Sequence, residues 1–236
     1  MGMREAWEAS SADWISWARA PGHDSYWRFH RDALAELLPP PGALTLDIGC
    51  GEGRVSRDLD AAGHRVLALD ASPTLARAAL THPGSPGPVL LADAGRLPLR
   101  DAVADLAVAF MSLQDVDDLE SATAEIARVL RPGGRTIIAI VHPVNSAGSF
   151  ADIDDAESEF TLTRSWYEQS TVSDRCSRDG LEMTFHSVHR PLSAYTEALY
   201  RAGLVIERIR EPTDPDPTRP WWRVPMFLHL LAVKPR

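Results

Sequence analysis

A chain of 236 residues, 44% of them hydrophobic, can bury one full core and leaves little room for a second domain. Its 33 acidic and 24 basic residues give a net charge of −9, which offers no electrostatic help toward nucleic acid or anionic membrane, so neither is expected as a partner. Two cysteines, Cys50 and Cys176, cannot build a disulfide framework, and no His/Cys cluster sits at zinc spacing, so no metal is expected.

The opening "MGMREAWEASSADW" carries early acids and no apolar core segment, unlike a signal peptide, and no later run reaches membrane-spanning length. The expected setting is cytoplasmic. Residues 1–23 read as an N-terminal helical flap crowded with Trp7, Trp14 and Trp17. Helical spacing of apolar residues then predicts a helix over 25–42, stopped by three prolines. A short apolar strand follows at 43–48, a helix at 53–64 and a strand at 65–70. Ser72 caps a further helix with Pro73 at its first position. Strands are predicted at 87–93 and 104–110, a helix at 118–130 and a buried strand at 135–141.

After residue 142 the pattern changes. Residues 143–160 read as an exposed acidic loop, and 163–190 as a hairpin turning at Asp179–Gly180. Residues 143–190 are thus expected to be a lid or substrate insertion covering the sheet edge, whose hairpin could pair across a homodimer. A helix to Gly203, a strand at 204–211, a proline-rich joint and a strand at 226–234 complete a single domain over 1–236. Strands alternating with helices make this an α/β chain with a doubly wound, mostly parallel sheet. Ligands then belong at the carboxyl ends of the strands.

The stretch "LDIGCGEGRV" lies at such an end, with Gly49, Gly51 and Gly53 inviting close approach to the backbone. A dinucleotide fingerprint wants a third glycine where Arg54 stands, and a phosphate loop needs a lysine that is missing. The zwitterionic methionine end of S-adenosylmethionine (SAM) fits better. Asp47 can serve its ammonium and backbone N–H groups its carboxylate. Asp70, at the end of the next strand, is placed for the ribose hydroxyls, and Asp93 for an adenine amino group.

With "ALDAS", "LLADAGRLP" and "RVLRPGGRTII" following in order, the chain resembles the class I SAM-dependent methyltransferases over residues 24–142 and again in its last two strands. The resemblance implies a seven-stranded sheet of order 3-2-1-4-5-7-6 with the last strand antiparallel. It also implies SAM as cofactor, S-adenosylhomocysteine as product, and methyl transfer to an oxygen or nitrogen of a small molecule. Its implied cofactor residues are Gly49, Cys50 and Gly51 of the turn, Asp70 with Ala71, Asp93 with Ala94, and Met111. A protein of this fold that binds SAM without transferring methyl, as a cyclase, a decarboxylase or a binding module, is the alternative.

Tyr26 is the candidate for closing a flap over the cofactor. His142, at a strand's carboxyl end, and Asp115 are the candidate bases. His142, Trp221, Trp222 and Arg223 are expected at the substrate side. His186 and His189, on opposite faces of a strand, are expected to be surface or lid residues.

Overall fold

The computed structural model describes residues 2–236. Helices α1 (Met3–Ala9) and α2 (Ser11–Arg19) come first, then a π-helical turn at Tyr26–His30 that leads into α3 (Arg31–Ala35). The helix expected over 25–42 is therefore broken and shorter. The turn places Tyr26 and His30, four positions apart and so on one face, inward, while Trp27 stays exposed.

The alternating region runs β1 (Thr45–Ile48), α4 (Arg54–Ala61), β2 (Val66–Asp70), α5 (Pro73–Thr81), β3 (Val89–Leu91), β4 (Ala104–Phe110), α6 (Leu119–Val129) and β5 (Leu130–Val141). Ser72 caps α5, accepting from Leu75 N, and Asp118 caps α6, accepting from Ser121 N at 2.9 Å. β5 begins at Leu130, earlier than expected. Leu130 already pairs with Ala104, and the register shift that follows absorbs Gly133–Gly134 within the pairing as a bulge.

Next come α7 (Pro143–Ala147), β6 (Gly148–Phe150), β7 (Phe160–Leu162), β8 (Ser170–Arg178), β9 (Leu181–His189), α8 (Leu192–Arg201), β10 (Val205–Arg210) and β11 (Phe227–Val233). The acidic stretch thus holds a short helix and one strand of the β6–β7 pair, where a loop was expected. The β8–β9 hairpin turns at Asp179 and Gly180, both with positive φ.

The main sheet has order β10-β11-β5-β4-β1-β2-β3, with β11 antiparallel to both neighbours and all other pairs parallel. Counting only strands of this sheet, that is the expected 3-2-1-4-5-7-6. Both faces are covered. Ile138 and Ile140 of β5 pack with Ile126 of α6 and Leu199 of α8, while Ile137 and Ala139 pack with Leu34 and Leu59 on the opposite side. The β10 edge carries Glu207, Arg208 and Arg210, charges that discourage pairing with another sheet.

The β8–β9 hairpin does not cover a sheet edge as expected. It packs on α1, α2 and α7, above the carboxyl ends of the strands. Among the described residues, no helix is long and apolar enough to cross a membrane.

Candidate active site

The turn after β1 is held against β2, with Gly49 N and Cys50 N both donating to Leu69 O at 2.8 and 3.0 Å. Gly49, Gly51 and Gly53 all have positive φ, which an L side chain strains to adopt. The close approach that the glycines permit comes first from the protein itself. A Cβ on Gly49 would collide with the Ser112 side chain, whose hydroxyl donates to Ile48 O at 2.7 Å, and one on Gly51 would crowd Trp14 Nε1 at 3.1 Å.

Asp70 ends β2 with its carboxylate facing this turn. Oδ2 accepts from Gly51 N at 2.7 Å and Oδ1 from Ser72 N at 2.8 Å. A carboxylate has about four acceptor sites, so two stay open for a further pair of donors. Burial pushes its pKa up to about 6, against the two backbone donors. Asp47, one residue from the end of β1, accepts from the Ser56 hydroxyl through Oδ2 at 2.5 Å. Its Oδ1 is buried with no partner, and burial, with Asp70 nearby, raises this carboxyl to about 7.

A cavity of about 610 Å³ opens at the carboxyl ends of the strands. Asp47, Gly49, Cys50, Gly51, Asp70, Ala71, Asp93, Ala94, Met111 and Asp115 all line it. Asp93 is exposed and closes its own turn by accepting from Gly95 N at 2.8 Å. Asp115 presents a carboxyl whose Oδ1 has no hydrogen-bond partner and whose pKa burial holds well above the ordinary value.

Other expected residues stand elsewhere. Tyr26 is fully buried beneath the cavity wall, its hydroxyl donating to Asp58 at 2.6 Å and its ring under Arg54 at 4.3 Å, so it cannot close a flap. His142 does not line the cavity. Its Nδ1 accepts from Val144 N at 3.1 Å, capping α7, which leaves the hydrogen on Nε2 to donate to Glu211 at 3.1 Å. A ring with both nitrogens so engaged has no lone pair for a substrate proton. Trp221 packs its edge on Phe150 at 4.8 Å, Arg223 donates to Ser158 O at 2.5 Å, and Trp222 is exposed, all outside the cavity. The antiparallel β11 does bring its leading loop to this side, but that loop packs Trp221 on the β6–β7 pair and leaves Trp222 exposed.

The walls hold the tryptophans of the N-terminal flap together with residues that the sequence did not place at the site. Trp7, Trp14 and Trp17 reach the cavity from α1 and α2, and Phe185 of β9 meets the last two edge-on at about 6 Å. Arg54 lines the cavity too, paired with Asp24 at 2.9 Å, while its buried Nε and Nη1 have no hydrogen-bond partner. His186 lines it and touches Ser10 and Ser173, tying α2 to the hairpin. His189 is fully buried rather than a surface residue. Only an account of which tertiary neighbours cover the hairpin would have found it.

These features suit a zwitterionic nucleoside ligand. The unpartnered Asp47 Oδ1 fits an ammonium, the Arg54 cation fits a carboxylate, and the open sites of Asp70 fit a diol.

Comparison with known proteins points the same way. Residues 46–138 match the family model described as a methyltransferase domain. The chain is 36% identical over 146 residues to malonyl-(acyl-carrier protein) O-methyltransferase of Serratia marcescens, covering 60% of this chain and 55% of that protein. It is 33% identical over 117 residues to demethylmenaquinone methyltransferase of Mycolicibacterium paratuberculosis, covering 50% and 49%. The chain thus spans about half the length of the curated relatives it matches. The crystal structure of a SAM-dependent methyltransferase from Mesorhizobium loti aligns with a TM-score of 0.69 at 26% identity, covering 89% of this chain and 98% of that one. A methyltransferase-domain match running from the first strand into the fifth, in a sheet of this order with this cavity at its carboxyl edge, makes the chain similar to the class I SAM-dependent methyltransferases in both sequence and fold.

Proposed function

We propose that the chain binds SAM in the 610 Å³ cavity and transfers its methyl group to an oxygen or nitrogen of a small molecule. The observation that carries this reading is the pair of buried acids flanking the glycine turn, Asp47 with an orphaned oxygen and Asp70 with open acceptor sites. When bound, SAM supplies an electrophilic methyl on a sulfonium that leaves as a neutral thioether.

The chain's part is to position, to exclude water and to manage one proton. Asp70 holds the ribose hydroxyls, Asp47 the ammonium and Arg54 the carboxylate. Asp93 and Ala94, just beyond β3, border the adenine. Trp7, Trp14, Trp17 and Phe185 roof the cavity and keep water out. Asp115, whose burial favours the protonated carboxyl, lines the cavity with an unpartnered Oδ1 and orients the acceptor substrate through a hydrogen bond.

The test is calorimetric titration with S-adenosylhomocysteine, followed by label transfer from methyl-labelled SAM to a small-molecule product. Micromolar binding is expected, with Asp70→Ala costing about 1–3 kcal/mol, the penalty for leaving buried polar groups unpaired. Absence of binding in the wild type overturns the reading. Binding with no labelled product from any acceptor favours a non-methylating role for the same cavity.

A further inference from the structure

His189, the last residue of β9, has no exposed surface, yet both of its ring nitrogens have defined partners. Nε2 lies 3.1 Å from Trp166 O. A carbonyl oxygen only accepts, so this nitrogen carries the ring hydrogen and donates it. Nδ1 is therefore a lone pair, and it lies 2.7 Å from the Ser146 hydroxyl. Ser146 also lies 3.2 Å from Pro143 O, but its single hydrogen has the shorter path to the imidazole. Ser146 is half-buried and lines the cavity beside Asn145 and Val141, at the carboxyl end of β5. A serine open to a ligand cavity, backed by a histidine of fixed tautomer, is an arrangement that activates a hydroxyl.

We propose that Ser146 and His189 are the proton acceptor of this cavity, an inference that rests on the methyl-transfer reading above. Ser146 touches the substrate, and His189 acts through it. The substrate's O–H or N–H proton passes to Ser146 Oγ while the serine's own proton passes to His189 Nδ1. The resulting imidazolium is held by its Nε2–H bond to Trp166 O. The substrate's freed electron pair forms the bond to the methyl carbon, whose bond to sulfur breaks with its pair left on sulfur. His142, whose nitrogens are both spent on Val144 N and Glu211, is not available for this role, and burial disfavours the ionised form that Asp115 would need for it.

The probe is a fluorophosphonate, which needs no knowledge of the substrate. Attack by Ser146 Oγ forms the O–P bond, expels fluoride and gives the serine proton to His189. Peptide mass spectrometry of wild-type protein is expected to place the adduct on Ser146. His189→Asn keeps an oxygen to accept the serine's hydrogen bond but cannot take a proton. Its labelling is expected to slow about a hundredfold, the lower range for loss of a positioned base, with S-adenosylhomocysteine affinity unchanged. A merely structural histidine would leave the labelling rate as it was. Ser146 unlabelled in the wild type, or equally fast labelling in the variant, overturns the proposal. Should the variant misfold, nitrogen-15 spectra of the wild type decide: hydrogen on Nε2 of His189 supports the pair, and hydrogen on Nδ1 overturns it. Failure of the wild type to bind S-adenosylhomocysteine would instead count against the methyl-transfer reading alone.

Discussion

His142 donates from Nε2 to Glu211 at 3.1 Å while its Nδ1 caps the helix that starts at Pro143. Its position at the end of β5 is what the sequence suggested for a base, but its hydrogen bonds are those of a structural cap. His142→Asn keeps a capping side chain and is expected to leave S-adenosylhomocysteine affinity unchanged. His142→Ala removes the cap and should cost about 1 kcal/mol in denaturant unfolding. A large drop in ligand affinity for the Asn variant would restore His142 to the site.

Asp70 gives the site a pH dependence. Burial raises its pKa to about 6, so the carboxylate is largely ionised above that pH and neutral below it. Two hydroxyl donors favour the ionised form, because a neutral carboxyl gives up part of its accepting capacity. Affinity for S-adenosylhomocysteine is therefore expected to fall as pH drops through about 6. Asp70→Asn should flatten the dependence near that pH, measured calorimetrically in buffers from pH 5 to 8.

Most strands and helices, and the cavity's place at the strand ends, were readable from the sequence because they depend on local signals, whereas the sheet order came only with the family resemblance. Alternating strands and helices, Ser72–Pro73 and the glycine turn each declare themselves within a few residues. The acids at the strand ends were readable for the same reason. The roles of His142, His189, Tyr26 and Trp221 were not, since each depends on a partner distant in the chain: Glu211, Ser146, Asp58 and Phe150. Arg54 was visible as a misfit to the dinucleotide pattern. That its charge faces the cavity depends on Asp24, 30 positions away in the chain, and on Trp14 in α2. Glycine identity, too, told of a close neighbour without telling that Ser112 was that neighbour.

Glu8 latches the N-terminal helices over the cavity. Its carboxylate accepts from the hydroxyls of Ser72 and Thr74 and, at 3.3 Å, from Thr74 N, at the start of α5. Those donors, Ser72 foremost, hold its pKa below the ordinary value. The latch is therefore complete above the ordinary glutamate range and is lost as pH falls through the lowered pKa. Glu8→Gln should weaken it by about 0.5–1.5 kcal/mol, the range for one hydrogen bond, and speed release of S-adenosylhomocysteine by up to about tenfold. Surface plasmon resonance reads this directly. Unchanged dissociation would mean that ligand exchange does not require α1 to lift.

Asp47 trades stability for ligand binding. Its carboxyl is buried, one oxygen has no donor, and the folded-state pKa stands near 7 against an ordinary value of 3.8. The folded protein thus binds a proton more tightly than the unfolded chain does. Its share of stability is complete below about pH 4 and is lost as pH rises toward 7. Asp47→Asn removes the ionisation while keeping an oxygen for the Ser56 hydroxyl. Without ligand, the variant should melt above the wild type at pH 8, by about 2–4 °C for each kcal/mol regained, and the gap should be clearly narrower at pH 5. With SAM present the order should reverse. The ligand's ammonium gives the ionised Asp47 its missing partner, and a neutral asparagine amide offers no such charge pairing. Thermal melts at both pH values, with and without SAM, check all four corners. An asparagine variant stabilised by SAM as much as the wild type would remove Asp47 from the ammonium site.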